Sequence, residues 1–186
     1  LTRDLAENLR QARGVRAETV ASVLSKAQAL VASIEKTDPG NVDLEYARIG
    51  MLLGFSETYR SVARSKSANI ALDEAVLRLR TLKMPNASDP AGTAALASLR
   101  IETDLALSQR AYFELDLEDA EHYARAAFDA PEIEQYGLSP ALRLNAKLKL
   151  AKTLFFQNKL KAVIEIKSVD ALPTDLNAMT KNKLSD

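Results

Sequence analysis

Apolar residues recur along this chain with the spacing of a helix rather than the alternation of a strand, and the interruptions are few. Residues 15–37, "VRAETVASVLSKAQALVASIEKT", place Val20, Val23, Leu24, Ala27, Leu30, Val31 and Ile34 on one stripe, which predicts a flanking helix. "DPGN" stops it, with Gly40 suited to a left-handed turn. "VDLEYARIGMLLGFSETYRSVAR" then spaces Leu44, Ile49, Leu52, Phe55, Tyr59 and Val62 helically, and "SANIALDEAVLRLRTL" follows a break near residues 65–67. Residues 42–82 therefore predict a helical hairpin.

"KMPNASDPAG", residues 83–92, holds two prolines with Asn, Asp and Gly and is the clearest loop. A long helix follows from about residue 93 to 115, carrying Leu96, Leu99, Leu105, Leu107 and Tyr112, then a short one over 118–129. They form a second hairpin, 93–129. Beyond "APEIEQYGLSP", the segments "LRLNAKLKLAKTLFFQN" and "KLKAVIEIKSV" predict a third, 141–169, and Pro173 opens a last helix over 173–185. The pattern predicts an all-α fold of stacked helical hairpins, one helical-repeat domain over residues 1–186.

Composition agrees and removes several function classes. Hydrophobic residues make up 47% and charged residues 27%, with six glycines and six prolines, as in an ordered chain rather than a disordered tail. There is no cysteine, so disulfides, zinc-thiolate sites and thiol nucleophiles are excluded. The longest apolar runs, "IGMLLGF" and "LAKTLFF", fall far short of the roughly 20 residues of a membrane span, so no membrane partner is expected. The opening "LTRDLAENLR" has neither an initiator methionine nor a signal pattern, and the chain is expected to be a piece of a longer protein.

Net charge is zero but unevenly spread. Residues 101–139 hold 2 basic and 10 acidic residues (net −8), whereas residues 140–186 hold 9 and 4 (net +5). A nucleic-acid binder shows a basic excess with aromatics for stacking, and neither is present, so no nucleic-acid partner is expected. The uneven charge is read first as attraction between neighbouring hairpins.

Candidate chemistry concentrates in "LDLEDAEHYARAAFDAP", where Asp116, Glu118, Asp119 and Glu121 surround His122, the only histidine. On a helix His122 lies one turn from Glu118 and Asp119. Zinc hydrolases need two closely spaced histidines, and a calcium loop counted from Asp116 fails at its fifth and sixth positions, Ala120 and Glu121. The simpler reading makes Asp116 a turn residue and the other acids a first helical turn stabilised by the helix dipole, with Leu117, Ala120, Tyr123, Ala124, Ala127 and Phe128 as the packed stripe. His122 is then a surface residue. No phosphate loop, dinucleotide fingerprint or nucleophile elbow occurs, and none of the many carboxylate pairs is singled out. No enzyme activity, metal or cofactor is expected.

The second helices align on Ala71, Ala120 and Ala162, each with a residue four later on the same face, Ala75, Ala124 and Ile166, at spacings of 49 and 42. "LSQRAYFELDLEDAEHYARAAFDAP" resembles a tetratricopeptide repeat. Leu107 and Ser108 stand at the family's Leu-Gly pair, Ala120 and Ala127 at its two small residues, and Pro131 near its terminal proline. Leu115 replaces the turn glycine and Ala111 the tyrosine, with Tyr112 adjacent. The first hairpin keeps Tyr59 at the tyrosine position and needs about three inserted residues to align Ala71; the third, with Phe155, Phe156 and Ala162, is degenerate. The first half resembles helical repeat regions that follow Toll/interleukin-receptor, caspase-like or NTPase modules in large bacterial signalling and defence proteins.

These resemblances imply a right-handed superhelix whose concave wall, lined by first helices, receives a peptide or partner protein. The wall would present Glu57, Arg60, Glu102, Gln109, Tyr112 and Lys147 as partner-binding residues. The Lys-Asn clamp of chaperone-binding members is missing, since Leu105 and Gln109 hold its positions. The expected role is a non-catalytic interaction or sensing arm of a larger bacterial, cytoplasmic protein. The alternative is a self-assembly module, in which the acidic middle of one copy meets the basic tail of another.

Overall fold

The computed structural model describes residues 41–82, 85 and 89–158, together with residues 19, 22–27, 29 and 33. Every regular element among the described residues is a helix, so the all-α expectation holds there. The chain divides into two compact units, Leu1–Ala106 and Leu107–Asp186. None of the described helices is long and apolar enough to cross a membrane.

In the first unit, α1 (Val42–Ser61) and α2 (Ser65–Thr81) form the expected hairpin. Asn41 starts α1 by accepting a hydrogen bond from the Leu44 N–H at 3.1 Å, and Asp43 and Glu45 sit in the first turn where the helix dipole favours acids. The predicted stripe is the buried one, with Ile49, Leu52, Phe55 and Tyr59 packed away from water, opposite Ala68, Leu72 and Ala75 of α2. A chain of ion pairs fastens the other flank: Arg78 bridges Glu45 and Glu74, and Glu74 also meets Arg48, each contact at 3.1 Å.

α3 (Pro90–Phe113) begins three residues before the expected start because Asp89 caps it. The Asp89 carboxylate accepts from the Gly92 N–H at 2.9 Å, and Pro90 takes the first position, where a missing N–H costs nothing. In the second unit, α3 turns into α4 (Leu117–Phe128), capped by Asp116, whose carboxylate accepts from the Asp119 N–H at 3.1 Å. The stripe expected on α4 is confirmed: Ala120, Ala124 and Ala127 are fully buried, with Leu117, Tyr123 and Phe128 half-buried. The linker contains one short helix, α5 (Glu132–Gln135), and Gly137 at φ 59° turns the chain toward α6 (Pro140–Phe156). Ala124, Leu150, Ala151, Leu154 and Phe155 form the core between α4 and α6, joined by Phe128 and Leu148.

Four of the buried hydroxyls donate to backbone carbonyls. Thr58, Thr103 and Thr153 donate to the carbonyls of Gly54, Leu99 and Lys149, four residues back, so they pack as small aliphatics without an orphaned hydroxyl. Ser108 donates instead across the hairpin, to the Ala120 carbonyl at 2.8 Å. A contact that short requires two small residues facing each other.

The helices α1, α3 and α6 end alike. Ala63, Leu115 and Asn158 all take left-handed conformations, at φ 59°, 64° and 58°. After α1, the Arg64 N–H donates to the Tyr59 carbonyl and Ala63 to Arg60; after α3, Asp116 donates to Ala111 and Leu115 to Tyr112. This is the Schellman reversal, which closes a helix and turns the chain back along it. Counted from the left-handed residue, the buried Ala68 and Ala120 each lie five residues on and Ala75 and Ala127 twelve, whereas Ala71 lies eight on. The serines read as a linker form the first turn of α2, which starts at Ser65.

The second helix expected in the third hairpin, with Ala162 and Ile166, and the helix over 173–185 lie outside the described residues. Of residues 15–37, the described ones are helical, and Leu24 is fully buried.

Candidate functional site

The acidic run around His122 is arranged as a helix start. Asp116 is the cap, Glu121 accepts from Arg125 Nε at 2.8 Å, and Glu118, Asp119 and His122 are exposed. The imidazole lies edge-on to the Tyr123 ring, with centroids 5.3 Å apart. Among the described residues no three acidic or histidine side chains converge in a way that could hold a metal ion.

The six residues predicted to bind a partner are divided between the two units, three in each. Glu57 is exposed on α1, while the Arg60 guanidinium donates to Asn69 Oδ1 at 2.9 Å and so ties α1 to α2. Glu102 accepts from Ser98 Oγ, one turn back on α3, at 3.2 Å. These three belong to the first unit. In the second, Gln109 and Tyr112 come together on one side of α3, one turn apart. Lys147, half-buried on α6, stands two residues before Lys149, about 200° round the helix from it.

What Gln109 and Tyr112 face is a row on α6 that the sequence did not single out. Lys149 Nζ donates to Gln109 Oε1 at 2.6 Å. One turn on, Lys152 Nζ sits 4.1 Å from the centre of the Tyr112 ring and 6.0 Å from that of Phe113. The ring of Phe156 meets Tyr112 edge-to-face, with centroids 5.3 Å apart and planes at 79°, and Phe113 meets Tyr112 at 5.9 Å and 85°. Lys149, Lys152 and Phe156 are spaced three and four apart, which sets them in line along α6.

This seam is anchored rather than loose. Gln157, the residue after α6, donates its Nε2 to the Leu117 carbonyl at 2.5 Å, fixing the end of α6 to the start of α4. Burial raises the Tyr112 phenol above its usual value. Yet much of the seam is open to water: Phe113 is 57% exposed and Phe156 53%. α6 contributes Arg143, Lys147, Lys149 and Lys152 and no acid, and Lys152 has no carboxylate partner among the described residues. A half-open aromatic patch with an unneutralised cation beside it is suited to receiving an apolar side chain and a nearby carboxylate. No protein-family model matches the chain, and no curated protein or solved structure resembles it significantly.

Proposed function

We propose that the chain is a non-catalytic protein-interaction scaffold, which takes a peptide or partner protein on the seam between α3 and α6. The observation that carries this reading is the patch of Tyr112, Phe113 and Phe156, two of whose rings are more than half exposed. Isolated exposed apolar residues are ordinary on a protein surface, but clustered aromatics beside a cation have the composition of binding hot spots. The reading as a tetratricopeptide-like stack draws support from the shared reversals at Ala63, Leu115 and Asn158, at spacings of 52 and 43 residues, and from the small residues Ala68 and Ala120 at matching positions. In such a stack α3 and α6 are successive first helices, whose shared face is the binding wall. A role as the sensing arm of a larger bacterial, cytoplasmic signalling protein follows from the resemblance of the first half.

The test is a selection of peptides from a random displayed library against the purified chain, with affinities then measured by fluorescence anisotropy. Replacing Phe156 with alanine should weaken the selected peptides by about tenfold or more, while Glu57→Ala and His122→Ala leave them unchanged. Equal binding by the Phe156 variant would remove the seam from consideration.

A further inference from the structure

We infer that the partner received by this seam is a second copy of the same chain, in a two-fold dimer where Leu115 of each copy enters the Tyr112, Phe113 and Phe156 patch of the other. This rests on the reading of the seam as a protein-docking surface and names its occupant.

The first observation is Leu115 itself. It is 83% exposed and holds φ 64°, a conformation in which a leucine is strained and a glycine is not. Neither backbone geometry nor solubility accounts for a large apolar side chain there. Its surroundings are just as particular: Glu114, Asp116, Glu118 and Asp119 are all exposed, so the leucine is a knob inside a collar of carboxylates.

The second observation is that the complementary surface lies at the same end of the same unit. Tyr112 and Phe113 precede Leu115 by three and two residues, and Phe156 reaches them from α6 through its contact with Tyr112. The Gln157 bond to the Leu117 carbonyl holds the last turn of α6 to the residue two past Leu115. One end of this unit thus carries an apolar knob ringed by acids and an open aromatic patch beside Lys152, which has no carboxylate partner among the described residues. A knob and a socket side by side on one surface are what a two-fold axis requires, because rotation places each on the other twice and closes the assembly. The charges agree in both halves: Lys152 of either copy meets the collar of the other.

Light scattering or sedimentation over a wide concentration range, at low and high ionic strength, tests this on the whole chain. The expected result is a dimer that weakens with salt, because its exposed ion pairs are screened. Leu115→Gly should weaken dimerisation by about tenfold or more while leaving thermal stability equal or higher, since the knob goes and the backbone strain with it. Lys152→Glu and the double variant Glu114→Lys, Glu118→Lys should each be monomeric alone and form a heterodimer when mixed, because mixing restores opposite charges across both halves. A wild-type chain that stays monomeric, a Leu115→Gly variant that still dimerises, or a mixture that stays apart overturns the proposal. A fluorescent peptide of residues 113–119, FELDLED, separates the two layers of the argument. A monomeric chain that binds it through Phe156 keeps a docking seam for another protein's acidic segment and loses only the dimer; a monomer that binds neither loses both.

Discussion

Ala63 and Leu115 occupy a backbone conformation that costs a residue with a Cβ about 1–2 kcal/mol, and neither is glycine. At Ala63, which is exposed and has no partner for a larger side chain to reach, the strain is uncompensated. Ala63→Gly should therefore stabilise the first hairpin by about 0.5–1 kcal/mol after the extra chain entropy of glycine is subtracted, visible as a higher denaturant midpoint. An unchanged or lower midpoint would mean that the reversal after α1 is not a Schellman turn. The left-handed position at Leu115 was legible because a repeat resemblance expects glycine there. The one at Ala63 was not, since "VARSKSANI" surrounds it with serines that read equally well as a linker or as a helix start.

At the scale of the helix, periodicity located the long described helices but not the four-residue α5, and it could not say which side of α6 faces water. Leu154, Phe155 and Phe156 are three consecutive apolar residues covering about 200° of the helix surface. Packing against α4 claims the first two, which are 1% and 8% exposed, and leaves the third 53% exposed. This is why the positions drawn from the sequence include Gln109 and Tyr112 on α3 but not Lys152 and Phe156 opposite them. Only the neighbouring helix settles which apolar residue is left over. Adjacent phenylalanines should thus behave very differently: Phe155→Ala should cost about 3–5 kcal/mol, and Phe156→Ser about 1 kcal/mol or less. Chemical denaturation of the two variants measures the contrast, and equal losses would place Phe156 in the core.

Across the whole molecule, burial raises the phenols of Tyr46, Tyr59 and Tyr112 above the ordinary value of 10.0, with Asp89 and Asp43 adding to the effect at Tyr46. Each group binds its proton more tightly in the folded chain, so its contribution to stability is fully present below pH 10 and is lost as the pH rises through the raised folded values. Phenolate absorbance should show these three tyrosines ionising above pH 10, together with loss of helix; complete ionisation of all five at pH 10 in a folded chain would contradict this. The charge imbalance between residues 101–139 and 140–186 was plain in the sequence and was first read as attraction between neighbouring hairpins. In the structure Arg143 pairs with Glu134 of the intervening linker at 2.7 Å, while Lys152 stays over aromatic rings.

Leu115 has a consequence for the energy landscape of the isolated chain. Most local choices here agree with the fold: capping residues start the helices, alanines sit where helices approach closely, and buried threonines satisfy themselves. Leu115 is the conflict, a site of local frustration where backbone preference and solvation both oppose the residue present. Such a site gains more from being covered than an unstrained one does. Contact with another surface at the turn between α3 and α4 therefore relieves a conflict that the lone chain carries.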